Sequence, residues 1–379
     1  MNVILNTQAL QYALTGVGWY TQNLLQGLQK HKSINQLLCI PNLTKPDEII
    51  KKNIRFKTNL KNIIKFFPGT YSLFRNYQDI KFIKKTRFLT QDQFIYHEPC
   101  YILSPYSGPK ICTIHDLSHI HYPDYHPKER VKYLRKHLPL SINKAHHIIT
   151  GSDYTRNELI RFFSLSSDKI TRIYHGVSKI FKPRNRNEIR KVLFAYSLYN
   201  KNYLLYVGTL EPRKNLENLI QAFKQLSESQ RNRYPLVLIG IKGWKTRPIE
   251  KIIRSLSKKQ QLYCLGYLPK IDIPYLYSGA YGFVYLSVYE GFGLPLLEAM
   301  ASGIPTLASD QSAMPEVVGD AAMLVNPFDV DLIADKLNQL INDLSLRDRL
   351  KNLGPLQAAK FSWESCIENT LAIYRKILI

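Results

Sequence analysis

The stretch Tyr289-Glu290-Gly291-Phe292-Gly293-Leu294-Pro295-Leu296-Leu297-Glu298-Ala299-Met300 decides how this chain is read. Before it, Gly282–Leu286 is a short apolar run that predicts a strand ending near Ser287, and the Gly-x-Gly after it predicts a tight loop. A helix then opens with Pro295 in its first turn, where a missing N–H costs nothing. Such a loop presents backbone N–H groups, and the helix N-terminus behind it favours negative charge. A phosphate or an array of sugar hydroxyls suits that geometry. Glu298, about one turn into the helix, is placed to accept from two neighbouring hydroxyls at once, as a ribose diol offers. Gly-x-Gly alone is equally the mark of any tight strand-to-helix turn, but two glutamates bracketing it narrow the reading.

The same rhythm extends outward. Strands are predicted at Tyr203–Val207, Leu236–Ile239, Gln261–Leu265 and Thr306–Ala308, with helices at Leu216–Leu226 and Pro295–Ala301. The runs are continuous rather than alternating, so the strands are expected to be covered by helices on both faces. The first half opens with Val3-Ile4-Leu5, a glycine-bearing loop Thr15-Gly16-Val17-Gly18, and a helical pattern from Tyr20 to Leu28. Further strands are expected at Lys110–Ile114 and His147–Thr150. The polar, basic, proline-bearing stretch Phe181–Arg190 reads as a linker. The expectation is therefore two α/β domains, residues 1–183 and 184–360, with 361–379 as a closing helix. Ligands in such sheets bind outside the carboxyl ends of the strands, which points to the cleft between the domains.

Composition bounds the partners. The 379 residues are 45% hydrophobic and 12% aromatic, as in a globular chain. No stretch reaches the roughly 18 apolar residues of a membrane span, and the N-terminus reads as a strand rather than a signal peptide. Five scattered cysteines without a C-x-x-C pair argue for a reducing compartment, the cytoplasm by default. The net charge of +23 is concentrated between Lys45 and Thr90, where twelve Lys or Arg face three acids and aromatics are interleaved. That pattern suits an anionic surface, first a membrane or a lipid-linked acceptor. A solvated lysine-rich face also fits it. Nucleic acid fits less well, because no nucleic-acid motif accompanies the charge.

With these residues in view, the chain resembles the retaining GT-B glycosyltransferases of the large family 4 group. Glu290 and Glu298 match the E-x7-E signature. Tyr206-Val207-Gly208-Thr209-Leu210-Glu211-Pro212-Arg213-Lys214-Asn215 looks like the family's strand, loop and basic pair. Gly16-Val17-Gly18, His115-Asp116, Thr150-Gly151-Ser152-Asp153, Gly303-Ile304-Pro305 and Pro315-Glu316-Val317 follow in the expected order. The resemblance implies the GT-B fold, two Rossmann-like doubly wound domains facing a central cleft, with residues 361–379 crossing back to the first domain.

It also implies roles. Arg213 and Lys214 would pair with the donor diphosphate and stabilise the charge that grows on the leaving group, in place of a divalent metal. Glu290 would contact the donor sugar, with Gly291, Phe292, Gly293 and Leu294 beside it, and Glu298 would hold the ribose hydroxyls. Gly16, Gly18, Gly208 and Thr209 would line the donor, and His115 would reach a sugar hydroxyl or the acceptor side of the anomeric centre. Retention in this family is explained by front-face attack, the departing phosphate helping to deprotonate the acceptor. No cofactor or metal is then expected. Departures occur at Ile173–Ser178, where many relatives carry a proline-asparagine-glycine turn, and at Asp153, where glutamate is commoner.

The combination of Glu211–Asn215 with Gly16–Tyr20 looks most like bacterial mannosyltransferases of polysaccharide assembly. GDP-mannose is the expected donor, a UDP-hexose its competitor, and a glycan or lipid-linked precursor at the inner face of the plasma membrane the acceptor. Two carboxylates also fit the outline of a glycosidase, but such an enzyme would need neither the basic pair nor the phosphate-shaped loop. His115, His119 and His121 offer a metal-like spacing that no cysteine supports; His119, His121 and His126 are expected in loops. The alternative function is a catalytically silent GT-B scaffold that holds a glycan or nucleotide at the membrane.

Overall fold

The computed structural model describes residues 1–11, 14–40, 70–89, 93–244 and 246–378. The chain divides into two compact units, Met1–His175 with Trp363–Ile379, and Gly176–Ser362. The stretch Phe181–Arg190, read from sequence as a linker with its divide at 183/184, lies wholly in the second unit. Phe181 is buried edge-on against Tyr277, and Arg184 donates to the Pro274 carbonyl and the Ser278 hydroxyl. Asn185 opens the helix Arg186–Ala195 with a capping box closed by Glu188.

The first unit is built on a parallel sheet of β1 (Asn2–Asn6), β2 (Gln36–Ile40), β3 (Phe94–Glu98), β4 (Lys110–Thr113), β5 (His147–Thr150) and β6 (Ile170–Arg172), in the order β2-β1-β3-β4-β5-β6. Side chains alternate along β1. Val3 and Leu5 pack with Leu24, Leu25 and Leu28 of the helix Gly16–Lys30 and with Ile367, Leu371 and Tyr374 of the helix Trp363–Leu378. Ile4 turns the other way, toward Phe82, Phe94 and Tyr96. Both faces are therefore dry.

Gly16 and Gly18 do not form a loop before a helix starting at Tyr20. They are its first turn, and Trp19 N–H already donates to the Thr15 carbonyl at 2.9 Å. Of the basic stretch, residues 45–69 and 90, Lys51, Lys52, Lys57 and Lys61 among them, lie outside the described residues. The helix Thr70–Thr86 carries Phe82 into the core and leaves Tyr77, Ile80 and Ile83 exposed, with Phe88 just beyond it 77% exposed. Lys81 lies over the Tyr77 ring and Arg87 over that of Phe88. Among the described residues no helix is long and apolar enough to cross a membrane.

The second unit holds a parallel sheet of β7 (Leu204–Val207), β8 (Leu236–Ile239), β9 (Leu262–Gly266), β10 (Gly282–Tyr285), β11 (Thr306–Ser309) and β12 (Met323–Val325), in the order β12-β11-β10-β7-β8-β9. The chain runs outward from β7 to β9, then returns to β10 and runs the other way. The order reverses between β7 and β10, the place in an open α/β sheet where connections diverge and leave a crevice. In the first sheet the reversal lies between β1 and β3.

Candidate functional site

The segments leaving β7 and β10 carry the residues singled out from the sequence. After β7, Gly208 N–H donates to the Ile239 carbonyl and Tyr206 OH to the Thr209 carbonyl, fixing that turn on its own sheet. Pro212–Lys214 forms a single tight helical turn, closed by Asn215 in the left-handed conformation at φ 55°. Asn215 Nδ2 donates to the Pro327 carbonyl at 2.6 Å, an anchor that holds the start of the helix Leu216–Gln225.

Arg213 and Lys214 meet Glu290 there. Arg213 Nη1 lies 3.0 Å from Glu290 Oε1, and Lys214 Nζ donates to the same oxygen. Tyr285, the last residue of β10, accepts from Lys214 at 2.6 Å and donates to Glu290 Oε1 at 3.1 Å. Arg213 Nη2 also holds Glu211 at 2.9 Å, and Nη1 donates to the Tyr289 carbonyl at 2.6 Å. All four charges are largely buried, two of each sign, so the cluster is neutral overall. Burial alone would raise the Glu290 carboxyl; Arg213 and Lys214 outweigh it and hold it at about 2. Burial lowers the Lys214 ammonium, and Glu290 offsets part of that shift.

Beyond Glu290 the chain forms the expected glycine loop. Glu290 N–H donates to Ser312 Oγ at 2.8 Å, and Gly293, at φ 113°, turns the chain into the helix Leu294–Ala301. Phe292 points its ring into the core, edge-on to Phe361, so only its backbone belongs to the loop surface. Glu298 is half-buried and accepts from Tyr277 OH at 3.0 Å. Burial pushes its carboxyl up to about 7, against the Tyr277 hydrogen bond and the charge of Lys270.

His115 lies in the first unit, just past β4. Its Nε2 donates to the Pro99 carbonyl at 2.8 Å, and burial holds its pKa below the usual imidazole value. Tyr20 packs edge-on against it, and His175 completes the group, stacked on Trp363. Gly16 and Gly18 belong to this unit as well, so the structure joins Gly208, Thr209, Arg213, Lys214, Glu290–Leu294 and Glu298 in one unit and His115, Gly16 and Gly18 in the other. His119 lies buried in the short helix Ser118–His121, with no hydrogen bond to either ring nitrogen, and His126 is buried too. Among the described residues no group of three or more His, Cys, Asp or Glu is arranged to hold a metal ion.

Several members of these clusters were not legible as such. Tyr285 and Tyr277 sit in apolar runs and look like core. Gly240, at φ 148°, lets β8 pass against the Gly208 carbonyl, where a Cβ would stand 1.9 Å from the oxygen. His175 carried a signal, since it stands in the segment that departs from the family pattern.

Residues 14–179 match the family model Glycosyltransferase Family 4, and residues 186–356 the model Glycosyl transferases group 1. O-antigen chain mannosyltransferase B of Escherichia coli is 36% identical over 99% of this chain and 100% of its own length. O-antigen chain mannosyltransferase RfbU of Salmonella typhimurium is 30% identical over 57% of this chain and 56% of its own. Among solved structures, sucrose-phosphate synthase from Thermosynechococcus elongatus superposes with a TM-score of 0.76 at 20% identity, covering 99% of this chain and 98% of its own. HepE from Anabaena, in complex with UDP and glucose, gives 0.72 at 15%, covering 99% of each chain. These likenesses establish the fold as GT-B. With both halves matched in chain order and a full-length relative at that identity, the chain belongs to the family 4 group of glycosyltransferases.

Proposed function

We propose that the protein transfers a mannosyl residue from a nucleotide sugar, GDP-mannose first, to a glycan or lipid-linked acceptor during assembly of a cell-surface polysaccharide. The observation that carries this reading is the gathering of Arg213 and Lys214 on Glu290 Oε1, between the segments that leave β7 and β10, where the sheet order reverses. Two fixed cations there suit a diphosphate and stabilise the charge it gains on leaving, without a divalent metal. The full-length likeness to an O-antigen chain mannosyltransferase supports mannose and the polysaccharide context. Glu298, beside the N-terminus of its helix, suits the ribose hydroxyls, and the Gly208–Thr209 and Gly291–Leu294 backbone suits the phosphates and the sugar.

Transfer proceeds with retention. The bond from the anomeric carbon to the phosphate oxygen breaks, the acceptor oxygen bonds on the same face, and the acceptor's proton passes to the departing phosphate. No protein nucleophile takes part. Glu290 acts by holding both cations and by contacting the sugar, and His115, its Nε2 engaged by Pro99, offers Nδ1 to a hydroxyl.

A panel of nucleoside-diphosphate sugars, with and without EDTA, tests this. GDP-mannose should be turned over at the same rate with chelator, giving a product of unchanged anomeric configuration. Binding without turnover of any donor would leave only the silent scaffold, and loss of activity in EDTA would remove the metal-independent mechanism.

A further inference from the structure

The carboxyl end of β3 carries a buried acid that the proposed chemistry does not use. Glu98 is 2% exposed and so does not touch a substrate. Its Oε2 accepts from Asn6 Nδ2 at 2.6 Å and from Tyr96 OH at 2.7 Å, with Arg75 Nη2 at 3.7 Å. Its Oε1 accepts from the Cys100 N–H at 3.1 Å. That last bond reaches across Pro99, whose carbonyl is the acceptor for His115 Nε2. A carbonyl cannot donate, so in the neutral ring the proton sits on Nε2 and Nδ1 presents a lone pair.

The turn is held at its far end too. Tyr101 adopts φ 58°, a left-handed conformation that is costly for a bulky side chain. Its N–H donates to the Thr113 carbonyl at 3.0 Å, Ile102 N–H bonds back to the Cys100 carbonyl at 2.7 Å, and its ring lies edge-on to both His115 and His119. Strain of this kind persists where surrounding contacts over-determine it, and Glu98 is the side-chain tie at the start of the turn.

We propose that Glu98 is a positioning residue for His115, fixing through the Pro99–Cys100 backbone which imidazole nitrogen carries the proton. The proposal rests on the reading that His115 contacts the reacting sugar or the acceptor. A carboxylate is required because each oxygen serves a different side. One satisfies the donors of β1 and β3, the other the turn.

Glu98→Gln separates the two. The amide oxygen settles where Asn6 and Tyr96 both donate, which sets the amide NH2 against the Cys100 N–H and releases the turn while the core stays satisfied. With saturating donor and acceptor, kcat should fall about tenfold to a hundredfold, with the donor KM unchanged. The same substitution in a His115→Ala enzyme should cost nothing further. In protein labelled with nitrogen-15 in its histidine rings, the His115 signals should pass from a single Nε2–H tautomer to a mixture. Should Glu98→Gln fail to fold, Glu98→Asp, which keeps a carboxyl on the Arg75 side and withdraws it from the turn, carries the same expectations. An unchanged ring spectrum, or an equal loss in the His115→Ala background, overturns the proposal. The ring spectrum needs no substrate, so an inactive wild-type protein would defeat the transferase reading and leave the Glu98 result standing by itself.

Discussion

Glu290 and Glu298 lie on the same loop and helix, yet their neighbours drive their ionisation apart. Arg213 and Lys214 hold Glu290 at about 2, whereas burial lifts Glu298 to about 7. The consequences for stability have opposite sign. The contribution of Glu290 is present above the ordinary carboxylate range and is lost as pH falls toward 2. Glu298 keeps its proton in the folded protein while the unfolded chain ionises, so its contribution declines as pH rises from the ordinary range to about 7. In the proposed role of holding the ribose hydroxyls, an ionised Glu298 can accept from both, and a protonated one accepts less well. Donor affinity, followed by calorimetry, should therefore rise as pH passes through about 7, and Glu298→Gln should flatten the curve. Glu290 and Glu298 stood out by their spacing, whereas Arg213 and Lys214 stood out only through the family pattern around them. Tyr285 and Tyr277 were not, because a tyrosine in an apolar run has the pattern of core until the fold sets its hydroxyl beside a charge.

Strands and turns explain a second group of successes and omissions. The apolar runs of β7, β8 and β10 announced themselves, while β3 did not. Phe-Ile-Tyr-His-Glu ends in two ionisable residues, yet every residue in it is buried. His97 faces one side of the sheet, toward Tyr374, and Glu98 the other, toward Arg75, and each finds polar partners. Only long-range pairing makes such a strand possible. The glycine turns are a sharper case. At Gly240 a side chain would overlap the Gly208 carbonyl, whereas Gly266, at φ 69°, faces open space. Gly240→Ala should cost at least about 2 kcal/mol in urea unfolding and weaken donor binding by displacing the Gly208–Thr209 turn. Gly266→Ala should cost only the backbone penalty of roughly 1 kcal/mol.

Across the molecule, the helix Trp363–Leu378 is part of the first unit's core. Tyr374 OH lies 2.6 Å from His97 Nδ1, His97 Nε2 lies 2.7 Å from Thr113 Oγ1, and Thr113 meets Tyr20 OH at 3.1 Å. The whole chain of contacts is dry, and burial lowers the His97 pKa to about 3. Tyr374→Phe leaves a buried imidazole nitrogen without its partner and should cost about 1–3 kcal/mol in denaturant unfolding. The surface of the same unit has its own expectation. Exposed Tyr77, Ile80, Ile83 and Phe88, beside Lys81, Lys84 and Arg87, suit an anionic membrane. Replacing Lys51, Lys52, Lys57 and Lys61 by glutamate, together with Ile80 and Phe88 by serine, should release the protein from anionic vesicles in sedimentation; unchanged sedimentation would refute membrane docking.

The contact between His97 and Tyr374 joins residues 277 positions apart, with the entire second unit lying between them in the chain. Synthesis proceeds from the N-terminus, and domains ordinarily fold in the order in which they emerge. Here the first sheet leaves the ribosome early but lacks one of its covering helices until Gly176–Ser362 has followed. The first unit to be made is thus the last to be finished, and the part of its core that Ile367, Leu371 and Tyr374 complete stays open during translation.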